Sequence, residues 1–136
     1  MFGVKADGTF LGLKYQCPAI MQTAGAGSVV NHGSVVADRG IATLAAPCAS
    51  QAAIVGLTKA AAKAYGPAVR VNLLATGAIR TDERADAGMY PERMPHLLAG
   101  RPGRSEEVAA VAAWLLSDYS SYQTGGVVPV DGGYWA

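Results

Sequence analysis

The sequence predicts a layered α/β fold with parallel strands. Three observations predict it. Short runs of strand-forming residues at Ser28–Asn31, Val69–Leu74 and Val127–Val130 are bounded by turn residues. Stretches with helical apolar spacing lie between them, so successive strands are joined by crossovers and pair in parallel. The chain has 136 residues, enough for one domain over positions 1–136, with no internal repeat.

Each element has a local reason. Residues 9–22, TFLGLKYQCPAIMQ, place apolar side chains at helical spacing, with Pro18 late in the run, and TAGAGS then breaks the pattern. The first strand follows at 28–31, and residues 35–47, with Gly40 and Pro47, read as a loop. The Ala-rich stretch 49–65 predicts a helix that Gly66-Pro67 stops. Ile54, Leu57, Ala61 and Tyr65 mark one face; Ala53, Gly56, Ala60 and Ala64 mark a small-residue face that a second helix can approach closely. The strand at 69–74 runs into the loop TGAIRTD, and residues 82–104 are irregular, with Gly88, Pro91, Pro95, Gly100 and Pro102 among them. Ser105 with Glu107 opens a helix ending near Asp118, and the strand 127–130 closes on Asp131-Gly-Gly133.

Composition narrows the classes of function. Hydrophobic residues make up 51% and charged residues only 15%, which leaves little polar surface for a monomer, so another subunit is expected to cover part of the apolar surface. The net charge is +1 and no two Lys or Arg residues are adjacent, which argues against nucleic acid or an anionic membrane as partner. Cys17 and Cys48 fall in different segments and suggest no disulfide framework, and His32 and His96 have no metal-ligand spacing. No signal-peptide pattern opens the chain and no apolar run is long enough to span a bilayer, so a cytoplasmic location is expected.

Six stretches taken together carry a resemblance: FLGLKYQ, GSVVN with Ser34, GLTKAAAKAYGP, VRVN followed by GAIRT, EEVAAVAAWLLSD, and TGG followed by VDGGY. In order and spacing they resemble the carboxyl-terminal half of short-chain dehydrogenases/reductases. The resemblance implies a doubly wound, Rossmann-like parallel sheet, here truncated to its last three strands with flanking helices. It also implies a substrate-covering loop over 82–104 and a dimer bundle built from helices 9–22 and 49–65; with a sheet edge left uncovered by the truncation, an obligate homo-oligomer, a dimer at least, is expected. The family's glycine-rich nucleotide turn follows a first strand. Here Gly25-Ala-Gly27 precedes a strand and reads as a plain turn, so no cofactor is expected.

The family's proton transfer uses a Tyr, a Lys four residues later, a Ser and an Asn. Ser34 matches the Ser; Pro47 stands at the Tyr position, Gln51 at the Lys position and Lys5 at the Asn position. Proline has no proton to give, and glutamine has no charge with which to lower a phenol's pKa. Tyr15, Tyr65, Tyr90, Tyr119 and Tyr122 are not followed by a lysine at the fourth place either. Thr81 matches a family contact to nicotinamide and phosphate, and without the glycine-rich half reads as a loop hydroxyl.

What remains for chemistry is Ser34 with His32 two residues before it, on one face if the segment is a strand. These are the candidate catalytic pair; the competing reading has His32 as an internal hydrogen-bonding residue and Ser34 as inherited loop chemistry. Val36, Cys48, Gly77, Arg80, Tyr90 and His96 are the candidate substrate-pocket residues, Cys48 beside a helix N-terminus that favours thiolate. The expected function is a cofactor-independent, non-redox enzyme that isomerises, cyclises or eliminates a small apolar substrate by positioning it and stabilising developing charge. The alternatives are a non-catalytic binding or scaffold subunit, and residual nicotinamide-dependent oxidoreductase activity.

Overall fold

The computed structural model describes residues 1–82 and 94–136. Strand β1 (Gly27–Ser34) pairs in parallel with β2 (Val69–Thr76), Gly27 opposite Val69 and Ser34 opposite Thr76. β2 pairs in parallel with β5 (Val127–Val130), Leu73 opposite Val127, giving the order β1-β2-β5. A second, two-stranded sheet joins β3 (Ile79–Arg80) to β4 (Gly103–Arg104). As the central strand, β2 is buried at every position except Arg70, as a strand covered on both faces must be.

Helix α1 (Gly8–Thr23), entered through a π-helical turn at Gly3–Asp7, and helix α2 (Ala45–Tyr65) cover one face of the sheet. Helix α3 (Ser105–Leu116) covers the other. Strand alternation assigns the faces. From β1, Asn31 Nδ2 donates to Thr58 Oγ1 of α2 at 2.9 Å, whereas Ser28 Oγ donates to Leu115 O of α3 at 2.9 Å. One core cluster is Leu13, Cys17, Val29, Ala61, Ala62, Val69 and Val71. Burial pushes the Cys17 thiol pKa up, so this cysteine is a packing residue.

Two polar ties set the layers. Arg70 passes from β2 to the end of α3, where its guanidinium donates to Leu115 O at 3.2 Å, Ser117 O at 3.0 Å and Ser120 O at 2.9 Å. A cation on the last carbonyls of a helix complements its dipole. Asn72, fully buried, donates through Nδ2 to Gln123 O at 2.8 Å and accepts at Oδ1 from Gly126 N at 3.1 Å, which locks the approach to β5.

The structure moves several expected boundaries. β1 and β2 extend past their β-branched runs because the ladder carries Gly33, Ser34, Ala75 and Thr76 along with it. α2 begins at Ala45, so Pro47 lies in its first turn, where a missing N–H costs no helical hydrogen bond. The turn expected at Gly25–Gly27 ends before Gly27, which already belongs to β1. Gly25 has φ +75°, and a Cβ on Gly27 would lie 2.7 Å from Ile20 Cγ2. No described helix is long and apolar enough to cross a membrane.

Candidate functional site

Ligands of open parallel α/β sheets sit at the carboxyl ends of the strands. Ser34 ends β1 and Thr76 ends β2, side by side. Thr76 Oγ1 donates to Gly33 O at 3.1 Å, which fixes the two strand ends to each other, and Ser34 Oγ accepts from Val36 N at 3.4 Å. Just beyond lies a cavity of about 290 Å³ with an apolar wall, including Val35, Ile41, Leu44 and Leu97. Ser34, Val36, Gly77 and His96, four of the sequence-predicted residues, line it together with Tyr134.

With Thr76, Gly77, Ile79, Thr81, Ser105 and Val108, His32 lines a neighbouring cleft of about 420 Å³, so Gly77 borders both spaces while His32 and Ser34 border different ones. His32 is exposed as a residue, yet the walls around its imidazole lower its pKa, and the Lys5 ammonium lowers it further. Cys48 is half-buried with Sγ 3.7 Å from Arg39 O, and Arg80 is exposed on β3, in register with Arg104. Tyr90 lies outside the described residues. Among the described residues no group of three or more His, Cys, Asp or Glu could hold a metal.

The two positions that carry the family's proton relay are both on α2. Pro47 is half-buried and supplies only its carbonyl, which accepts from Ser50 Oγ at 2.9 Å. Gln51 is 8% exposed, and its Oε1 has no hydrogen-bond partner among the described residues. That oxygen lies 3.3 Å from where a Cβ on Gly33 would stand. The sequence identified the exchange at position 51 but not this burial against β1.

Sequence reasoning also missed the segment after β5. Tyr134 lines the Ser34 cavity, and Trp135 lines a third space, of about 500 Å³, that also borders Ser34. The available signal was the pair of aromatics directly after the Asp131-Gly-Gly133 turn, since Tyr and Trp combine apolar bulk with a polar tip suited to a pocket wall.

A family model described as enoyl-(acyl carrier protein) reductase matches residues 1–135. A 2,5-dichloro-2,5-cyclohexadiene-1,4-diol dehydrogenase of Sphingobium indicum is 40% identical over 98% of this chain and 56% of its own length. A protein of Xanthobacter autotrophicus named inactive 2-(S)-hydroxypropyl-CoM dehydrogenase 2 is 34% identical over 100% of this chain and 63% of its own. The crystal structure of acetoin dehydrogenase from Salmonella typhimurium superposes with a TM-score of 0.88 at 33% identity, over 98% of this chain and 53% of that one. The chain thus spans little more than half the length of the curated relatives it matches.

These relatives are named as dehydrogenases, which overturns the expectation of a non-redox isomerase, cyclase or lyase. A serine hydroxyl beside an apolar cavity suits many reactions and specifies none of those three. The nicotinamide nucleotide that such a fold implies meets a changed donor set here. Pro47 has no hydroxyl, and Gln51 presents a neutral amide with an unsatisfied acceptor where an ammonium would be needed. The described residues therefore do not fit the group's usual ribose and proton-relay contacts. By family model, sequence and fold, the chain belongs to the short-chain dehydrogenases/reductases.

Proposed function

We propose that the chain is the substrate-holding portion of an oxidoreductase-type fold that binds a small ring alcohol or ketone without running the family's tyrosine-and-lysine proton relay. One observation carries this reading: Ser34 stands at an apolar cavity of about 290 Å³ while Pro47 and Gln51 fill the relay positions. In this reading Ser34 Oγ donates to the ligand's oxygen, and Val36, Gly77 and His96 surround it. His32 acts from the adjoining cleft as a polar neighbour. The ring-diol substrate in one relative's name supports the ligand class, and the relative named inactive supports the loss of turnover.

The proposal includes action as one domain over 1–136 and a homodimer through α1 and α2. Phe10, Leu57, Ala60 and Ala64 border an apolar groove of about 220 Å³ between these helices. Phe10, Leu11 and Tyr15 leave further apolar surface on α1.

A second reading, slow nicotinamide-dependent oxidation of the same alcohol, is favoured by the dehydrogenase names of the relatives. One experiment separates the two. Binding of cyclohexanol and cyclohexanone is measured by saturation-transfer NMR, and NADH or NADPH formation and consumption by absorbance. Binding without turnover supports the first reading, and slow turnover of the bound alcohol supports the second. Absence of any ring-ligand binding removes both.

A further inference from the structure

We infer that a trough along α2, on the flank turned away from α1, binds an elongated zwitterion with its carboxylate at Lys59 and its ammonium at Asp38. The inference does not depend on the ring-alcohol reading above.

The helical repeat builds the trough. Cys48, Ala52, Val55 and Lys59 are spaced four, three and four residues apart, so they form one stripe along α2. Leu57, Ala60 and Ala64, which border the groove beside α1, lie on the other side of the helix. Ala52, Val55 and Lys59 border a space of about 500 Å³, with Asp38, Val127 of β5 and Trp135 also on its boundary.

The two ends of the stripe carry unlike charges. At its beginning, Cys48 Sγ donates to Arg39 O at 3.7 Å, which sets the Asp38–Arg39 backbone at that level. Lys59 stands three turns further on, roughly 16 Å along the helix axis, and its side chain leans back toward the helix N-terminus, which shortens the gap. Asp38 accepts at Oδ2 from Trp135 Nε1 at 3.0 Å, while Arg39 donates to the Trp135 and Ala136 carbonyls. Lys59 has no hydrogen bond or ion pair among the described residues. The fold therefore holds a carboxylate and an ammonium apart across an apolar middle of Ala52, Val55 and Val127. Unlike charges kept from neutralising each other along one trough are complementary to a ligand that carries both at its two ends. A linear amino acid with terminal charges matches this spacing; an α-amino acid, with both charges at one end, does not.

The probe is 6-aminohexanoate. The Trp135 indole N–H, bonded to Asp38, reports the acidic end, and the other tryptophan, Trp114, lies on α3. Titration followed by heteronuclear NMR should give a saturable shift of the Trp135 indole resonance, assigned with Trp135→Phe, and none of Trp114. Lys59→Met and Asp38→Asn should each weaken binding by ~3-fold or more, within the range of a single exposed ion pair. Asp38→Asn keeps an acceptor for the indole, so the chain end stays in place. Lys59→Arg should restore binding, and Lys63→Met, which removes the same charge one turn away, should leave it unchanged. Hexanoate and hexylamine should bind more weakly than the zwitterion. The inference is overturned by the lack of a saturable shift, by equal losses in Lys59→Met and Lys63→Met, or by a singly charged probe that binds as tightly. An indole resonance that moves with protein concentration and not with 6-aminohexanoate would assign the trough to a second copy of the chain and overturn the inference as well.

Discussion

Gln51 lies against Gly33, its Oε1 3.3 Å from the place a Cβ would take and without a hydrogen-bond partner among the described residues. A buried acceptor left unpaired keeps its desolvation cost with no return, on the order of 1–3 kcal/mol. Gln51→Met keeps length and helix propensity while removing the oxygen, and should raise stability by about 1 kcal/mol. Gly33→Ala should lower it, because the new methyl would also stand 2.8 Å from Leu73 Cδ1. Urea unfolding of both variants checks the pair. A destabilised Gln51→Met would show that the amide is satisfied in solution.

Arg70 is the tie between β2 and the end of α3. Arg70→Lys cannot reproduce the spread of donors onto Leu115, Ser117 and Ser120 carbonyls, because an ammonium is a compact point charge. Hydrogen bonds from charged groups contribute ~1.5–3 kcal/mol each in favourable cases. Since several are lost and some are replaced by water, a net loss of about 2–3 kcal/mol is expected. Equilibrium denaturation of the native protein and the Arg70→Lys variant measures it, and a loss below about 0.5 kcal/mol, the usual range of neutral surface changes, would remove Arg70 as a tie.

Glu107 carries an acid-sensitive contact. Its carboxylate accepts from Arg101 at 2.7 and 3.0 Å and from Arg104 N at 2.8 Å, and these hydrogen bonds, with both cations, lower its pKa to about 2. A depressed carboxylate binds fewer protons folded than unfolded. Its contribution is therefore complete above the ordinary glutamate range, near pH ~4, and is lost as pH falls toward 2. Glu107→Gln should flatten the pH dependence of melting temperature in that window while leaving the slope above pH 6 unchanged. An identical slope below pH 4 in both proteins would contradict the pairing.

His32 should titrate below an ordinary histidine, because its surroundings and the Lys5 ammonium both disfavour the imidazolium. The folded state then binds fewer protons than the unfolded one, so this contribution to stability is present above the ordinary histidine range and falls as pH drops through it. Lys5→Met should move the His32 titration upward without removing the whole shift, since desolvation by burial is the larger cause. With only two histidines in the chain, the imidazole proton resonances resolve the shift directly. A titration unmoved by Lys5→Met would show that the two groups do not interact.

The layered parallel architecture was readable because its signals are local. Val69–Leu74 is a nearly continuous apolar run, and Ser105 with Glu107 marks a helix entry. The structure places Glu107 on Arg104 N, with Ser105 as the first helical residue. Strand ends were not readable: Gly33 and Ser34 have no strand preference of their own and are held by pairing with residues more than forty positions away. The start of α2 was obscured because Pro47 looks like a loop residue when its neighbours are unknown. Ser34, Val36, Gly77 and His96 were found as candidates and do border one cavity. His32 and Ser34 border different spaces, which spacing along β1 does not reveal. Asp38 and Arg39 help hold Trp135 in place, through contacts spanning more than ninety positions that no local signal announces.

The Arg70 fan also has a dynamic consequence. A strand and a helix end that share one guanidinium cannot loosen separately without stranding a charge among carbonyls. Backbone amides at the centre of β2 and in the final turn of α3 should therefore exchange with solvent in a single cooperative opening, so that the two sides of the sheet breathe as one unit.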